Sequence, residues 1–125
     1  MNLLLDTHVL LWWLDDHPSL SENARTIIAD GSNMVFVSAV VVWEIRIKQA
    51  LGKLLIPDSF RRVLDQQSFE MLAITVDHAH AAGELPVHHR DPFDRMLIAQ
   101  AKVEGFTVMT RDAIFETYCI PIVKA

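Results

Sequence analysis

Four short stretches of the chain each carry an acidic residue where a packed domain has little use for one. Asp6 closes Leu3-Leu4-Leu5, and Glu44 stands in Val42-Trp43-Glu44-Ile45. Asp94 lies in Asp91-Pro92-Phe93-Asp94-Arg95, which opens the run Met96-Leu97-Ile98-Ala99, and Asp112 follows Val108-Met109-Thr110-Arg111. A carboxylate in apolar surroundings loses hydration and needs a partner. Four of them from distant parts of the chain suggest a shared partner, and a hard divalent cation held by oxygen ligands is the simplest one. Such a cation lowers the pKa of water and stabilises negative charge that develops during hydrolysis.

Each acid also has a local explanation. Asp6 suits the N-cap of a following helix. Glu44 can pair with Lys48 one helical turn later. On a helix, however, Glu44 shares a face with Val40, Val41, Ile47 and Leu51, where a lone charge is costly. Asp91 fits a cap before Pro92, and Asp94 the third helical position, where acids favour the helix dipole. Asp94 is the better metal candidate, with Asp91 as cap or outer support. Asp112 can cap a last helix, but it follows a strand end by two residues. The hydroxyls of Thr7 and Thr110 can bond the carboxylates, a water on the cation, or loop backbone.

The elements that must position these groups are legible as an alternation. Five apolar, β-rich segments recur at Asn2–Asp6, Met34–Ser38, Met71–Thr75, Phe106–Thr110 and Ile120–Val123, apolar on both faces as buried parallel strands are. Helical stretches lie between them. One runs from Thr7 to Leu14. Ser19-Leu20-Ser21-Glu22 resembles a capping box, with Gly31 as the stop of the helix it opens. Ser38 is expected to cap a helix to Leu51 with Gly52 beyond, Asp58 a helix through Gln67, and Asp77 a shorter one ending near Leu85-Pro86. Asp91-Pro92 opens a helix to Glu104 with Gly105 as its stop, and Ala113 to Tyr118 form a last short one. The β-branched run from Val40 to Ile47 is assigned to helix, because one strand from Met34 to Ile47 would far exceed the usual ~5–6 residues. Strands alternating with helices predict an α/β sandwich whose ligands sit beyond the C-terminal strand ends, where Asp6 and Thr110 lie.

Length and composition bound the possibilities. The chain of 125 residues is read as one domain over 1–125 with a real core, and its 51% hydrophobic content excludes a disordered chain. Apolar runs fall short of the ~20 residues that span a bilayer, and no basic segment precedes the first one. The single cysteine, Cys119, excludes an internal disulfide and a cysteine zinc site, so a cytoplasmic protein is expected. A net charge of −5 argues against nucleic-acid binding through a basic surface alone, although bound cations would offset part of it. Arg90, Arg95 and Arg111, beside the acids, can contact the backbone phosphates of a nucleic acid or neutralise their neighbours. The histidines of His78-Ala79-His80 and His88-His89 are expected on the surface or in loops, since a spacing of two puts His78 and His80 on opposite sides of a helix. Trp12 and Trp13 cannot share one core position, and one of them suits a partner interface.

With these residues in view, the chain resembles a PIN domain of the VapC-like type, the toxins of bacterial type II toxin–antitoxin systems. The resemblance covers nearly the whole length. It rests on Leu3-Leu4-Leu5-Asp6-Thr7-His8, on Ser38 through Trp43-Glu44-Ile45, on Gly52-Lys53-Leu54, on His89-Arg90-Asp91-Pro92-Phe93-Asp94-Arg95-Met96-Leu97-Ile98-Ala99-Gln100-Ala101, and on Thr110-Arg111-Asp112. It implies a three-layer α/β/α sandwich with a five-stranded parallel sheet in the order 3-2-1-4-5. It implies Mg²⁺- or Mn²⁺-dependent endonucleolytic cleavage of RNA at an acidic site of Asp6, Glu44, Asp94 and Asp112, supported by Thr110 and Thr7. Asp91 belongs to the motif. The products implied are 5′-phosphate and 3′-hydroxyl ends. The partners implied are an RNA substrate, a cognate antitoxin that covers the site, and a second copy in a homodimer, with no membrane. Two other functions compete. A haloacid-dehalogenase-like phosphatase also ends a strand in a catalytic Asp, but its second acid lies two residues on, where this chain has His8. A catalytically silent binding module would act only through its partner, and the presence of all four acids speaks against it.

Overall fold

The strands pair in the order β3-β2-β1-β4-β5, every pair parallel. In the computed structural model, which describes residues 1–125, they are β1 (Asn2–Leu5), β2 (Met34–Ser38), β3 (Glu70–Leu72), β4 (Thr107–Thr110) and β5 (Ile122–Lys124). The helices are α1 (Thr7–Leu14), α2 (Glu22–Ala29), α3 (Ala39–Ala50), α4 (Phe60–Asp65), α5 (Val76–Glu84) and α6 (Pro92–Glu104), followed by a 3-10 helix at Ala113–Tyr118. The order expected from the resemblance is the observed one. Parallel neighbours require crossovers, and every crossover but the last is helical. The central β1 is the most enclosed: Leu3, Leu4 and Leu5 have no exposed surface.

The strand order reverses between β1 and β4. The chain builds outward from β1 to β2 and β3, then returns to start β4 on the other side of β1. That reversal leaves a crevice beyond the C-terminal ends of β1 and β4, the usual place for a ligand in such sheets. Asp6 follows the last residue of β1, and its N–H still extends the ladder by donating to Met109 O at 3.1 Å. This bond puts Asp6 beside Thr110 at the end of β4.

Three helix starts fall where their caps place them. Asp6, Ser38 and Asp91 each accept a hydrogen bond from the first turn of α1, α3 and α6. Gly105 ends α6 at φ 73, a left-handed conformation that favours glycine, while nothing crowds the place a Cβ would take. The run from Val40 to Ile47 is helix, as expected.

Four other helix ends differ from expectation. Ser21, not Ser19, caps α2 by accepting from Ala24 N at 3.1 Å, because Ser19 is held in a turn by His17 Nδ1 at 3.0 Å. Asp30, not Gly31, follows α2, in an extended conformation that needs no glycine. Ser59, not Asp58, precedes α4, which starts late because Phe60 N first closes a turn on Pro57 O at 3.0 Å. Thr75, not Asp77, caps α5: its hydroxyl accepts from His78 N at 3.2 Å, and Thr75 N donates to His78 Nδ1 at 3.0 Å. That reciprocal cap also stops β3 at Leu72, short of the expected Thr75.

His78 is therefore not a surface residue. It is fully buried, whereas His80 two residues on is exposed. Gln100 Nε2 donates to His78 Nδ1 at 3.3 Å, and Ser38 Oγ donates to Gln100 Oε1 at 2.5 Å. With two donors on Nδ1, the ring proton lies on Nε2 and points to Glu104 Oε1 at 3.2 Å.

Candidate active site

Asp6 is buried at the head of the crevice. Its Oδ1 accepts from Val9 N at 2.9 Å, so the residue caps α1. Its Oδ2 accepts from the Thr110 hydroxyl, and Thr110 Oγ1 in turn accepts from Asp112 N at 3.0 Å. Burial pushes the Asp6 carboxyl above the usual carboxylate range; the bonds from Thr110 and Val9 act against this, and the charge of Glu44 adds to it.

Glu44 enters from α3 and is 4% exposed. The Thr7 hydroxyl donates to its Oε1 at 2.6 Å, and Lys48 pairs with its Oε2. The helical partner Lys48 and the long-range contact to Thr7 thus coexist on one carboxylate. The Glu44 bond is the main reason the Lys48 ammonium is raised above its ordinary value, and the charges of Asp91 and Asp94 act in the same direction. Lys48 therefore sits in the field of three acids.

Asp91 and Asp94 are delivered by the N-terminus of α6. Asp91 Oδ1 accepts from Phe93 N at 2.9 Å and Asp94 N at 3.2 Å, which makes it the cap. Asp94 is pushed up to about 6, first by burial, then by the charges of Asp91 and Glu44; the hydrogen bond from His89 opposes the shift. Glu44 thus acts on both Asp6 and Asp94. Asp112 is exposed and caps the 3-10 helix, accepting from Ile114 N at 3.1 Å. Its carboxylate, that of Asp94 and the His89 ring offer donor atoms that all lie within 4.8 Å of one another.

The PIN domain family profile matches residues 3–121. The chain belongs to the PIN domain family. Comparison with curated proteins gives no match. Among solved structures, VapBC2 of Rickettsia felis bound to a promoter DNA fragment superposes with a TM-score of 0.76 at 18% identity, covering 99% of this chain and 98% of that one. DNA-bound VapBC of Salmonella typhimurium gives 0.74 at 20% identity, with 99% and 98% covered. The PIN domain endonuclease Utp24 gives 0.60 at 18% identity, with 99% and 84% covered. At these identities the likeness is one of fold.

In this PIN domain the residues fit a hard divalent cation. The donors are carboxylate oxygens, two of them raised chiefly by burial with neighbouring acids adding to it, and Lys48 is the one ammonium among them. Asp6, Glu44, Asp94 and Asp112 would hold the ion: Asp94 and Asp112 offer donor atoms within 4.8 Å of each other, and Glu44 acts on Asp6 and Asp94 through its charge. Thr7 and Thr110 support the carboxylates from behind.

Two of the three expected RNA contacts are otherwise engaged. The Arg95 guanidinium donates to the carbonyls of Ala82, Leu85, Pro86 and His89 at 3.0–3.2 Å, closing the C-terminal end of α5 and the loop beyond it. Arg111 donates to Ala125 O at 2.8 Å and to Ser19 O, and lies 4.5 Å above the Trp12 ring. Both are structural clamps. Arg90 is exposed and open to a phosphate.

His89 lies in a loop, as expected, but its ring belongs to the site. Its Nε2 lies 2.7 Å from Asp94 Oδ2. The available signal was its place five residues before Asp94, on the loop that leads into α6.

Proposed function

We propose that this PIN domain is a Mg²⁺- or Mn²⁺-dependent endoribonuclease and the toxin of a type II toxin–antitoxin pair, acting in the cytoplasm. The convergence of Asp6, Glu44 and Asp94 at the strand-order reversal carries the reading. When bound, the cation supplies Lewis-acid stabilisation of phosphoryl charge and a lowered water pKa. The chain supplies the rest. Val9 N–H and the Thr110 hydroxyl fix the Asp6 carboxylate, Thr7 and Lys48 fix Glu44, and the first turn of α6 fixes Asp94. Fixed carboxylates hold the geometry of an in-line displacement without reorganising during the reaction. Asp112, exposed beside Asp94, would accept a proton from attacking water. The nuclease reading is supported by the fold likeness to Utp24, a PIN domain endonuclease.

The antitoxin reading is supported by a second feature. A groove of about 470 Å³ opens beside the site, lined by Leu11, Trp12 and Leu14 of α1 and by Leu54, Leu55 and Ile56. Leu55 is 96% exposed at its rim, and His8, which acts on Asp6, lies in its lining. An apolar segment of a small antitoxin would fit this groove and lie against His8, two residues after Asp6. VapBC complexes share the fold, which supports such a partner; a homodimer within the complex is part of the same proposal. No helix is long and apolar enough to cross a membrane.

The test is cleavage of RNA by the pure protein. Mn²⁺ or Mg²⁺ should support it, EDTA should abolish it, and a phosphate monoester should be left intact. Full activity in EDTA, or turnover of the monoester alone, would overturn the reading. Light scattering of the protein co-expressed with its neighbouring open reading frame tests the partner.

A further inference from the structure

The loop that joins α5 to α6 is held from two sides. Tyr118, at the end of the 3-10 helix, is 2% exposed. Its hydroxyl accepts from His88 N at 3.1 Å and His89 N at 2.7 Å, and donates to Pro86 O at 3.0 Å. Its ring meets the His88 ring edge-on at 5.1 Å. Arg95 takes the carbonyls of the same loop, Pro86 O at 3.0 Å and His89 O at 3.2 Å. One phenol and one guanidinium thus bind the main chain on both sides of His88.

The consequence appears at His89. Its Nε2 reaches Asp94 Oδ2 at 2.7 Å, with both side chains about three-quarters buried. An ionised carboxylate only accepts, so the ring proton lies on Nε2. A nitrogen that donates to Asp94 has no lone pair left for a cation. The same 3-10 helix that ends in Tyr118 begins after Asp112, which caps it. One short turn therefore sets two things against Asp94: the Asp112 carboxylate directly, and the His89 ring through the loop.

We propose that His89 is a positioning residue of the acidic site, held by Tyr118 and Arg95 so that its imidazole fixes the rotation of the Asp94 carboxylate. Its consequence for catalysis rests on the ribonuclease reading above. Groups that hold metal-ligating carboxylates in this way typically change cation affinity or activity about 10–100-fold when removed.

Tyr118→Phe keeps the buried ring and removes the hydroxyl. In nitrogen-15 spectra of the metal-free protein, the His89 Nε2–H signal should be slow to exchange, and should broaden or vanish in Tyr118→Phe. His89→Ala and Tyr118→Phe should each weaken Mn²⁺ affinity and kcat about 10–100-fold with little change in KM for RNA. His89→Gln, whose amide nitrogen can donate from the place of Nε2, should recover most of the loss. The proposal is overturned if Tyr118→Phe leaves the His89 signal and Mn²⁺ affinity as in the wild type. It is also overturned if Gln does no better than Ala, or if Mn²⁺ resonance spectra show imidazole nitrogen coupling, which would make His89 a ligand. Should the wild type neither bind Mn²⁺ nor cleave RNA, the ribonuclease reading fails, and the metal-free spectra still decide whether Tyr118 holds His89 on Asp94.

Discussion

Two polar groups of this protein are buried, and they are built on opposite principles. One is the chain Ser38–Gln100–His78, which ends on Glu104. In it each donor meets an acceptor: a hydroxyl, an amide and an imidazole alternate, and backbone groups of Val40, Ala73 and Thr75 complete the set. The other is the crevice of Asp6, Glu44 and Asp94. There three carboxylates, each with its own donors, share one crevice; burial raises Asp6 and Asp94, and a single ammonium answers several negative charges. A network of matched donors and acceptors closes on itself and stabilises the fold. A carboxylate cluster short of positive charge would be stabilised further by a bound cation. Yet α6 carries a member of each: Asp94 in its first turn and Gln100 further along. The helix that builds the core also delivers the acid.

The comparison breaks most directly on activity. Asp6→Asn or Asp94→Asn keeps shape and removes charge, and RNA cleavage in Mn²⁺ should fall by about 10²-fold or more, since charge-stabilising groups at a reacting centre are worth this much. Gln100→Leu should leave cleavage within about threefold, because a group outside the reacting centre changes stability rather than the chemical step. Equal losses in both would show that the acids are structural.

The next test separates the two regions by stability. His78→Ala strands the Thr75 N–H and the Gln100 amide and leaves a cavity, so it should destabilise by about 2–4 kcal/mol in urea unfolding. It should leave the Mn²⁺ response intact. The wild type should gain about 2.7 kcal/mol at a Mn²⁺ concentration ~100 times the dissociation constant. In a domain of this size that is a shift of several degrees in Tm. The Asp6→Asn/Asp94→Asn double variant should lose the shift. A shift that survives in the double variant, or vanishes in His78→Ala, would merge the two regions into one.

Arg95 gives a smaller effect of the same kind. Its carbonyl contacts end α5 and hold the loop that carries His89. Arg95→Lys keeps the charge but not the fork, and should destabilise by about 1–2 kcal/mol. If Arg95 served RNA instead, the variant would melt as the wild type does and bind RNA less tightly.

These two regions were not equally legible in the sequence. Asp6, Ser38 and Asp91-Pro92 are local signals, because a cap acts within one turn of its own helix, and α1, α3 and α6 start where they say. The acids stood out because each interrupts an apolar run. His78 could not be placed, since its partners at Gln100 and Glu104 lie on another helix and only the packing of α5 on α6 brings them near. Arg95 and Arg111 misled for a different reason. Their partners are main-chain carbonyls, which every residue has, so nothing in the sequence marks them. His89 was hidden because its approach to Asp94 depends on Tyr118, 29 positions further along.

The smallest effect is the pH dependence of the metal-free protein, and its sign is opposite to that of an ordinary paired carboxylate. Asp94 is raised from 3.8 to about 6, and Asp6 is raised in the same direction. Between about pH 4 and 6 the folded protein therefore keeps a proton on Asp94 that the unfolded chain has released. Stability should fall as pH rises through this window and level off above it. Asp30 opposes the trend: its backbone and side-chain bonds from Ser32 hold it low, so its contribution is lost as pH falls. The difference between wild type and Asp94→Asn cancels such terms and isolates the crevice. Urea unfolding in EDTA from pH 4 to 7.5 should show that difference growing toward neutral pH, with the variant the more stable. Mn²⁺ should reverse the order above about pH 6, where protons no longer compete for the carboxylate. A difference curve flat across the window would mean that Asp94 is relieved within the chain itself, and the crevice would then be a second closed network rather than a site awaiting a cation.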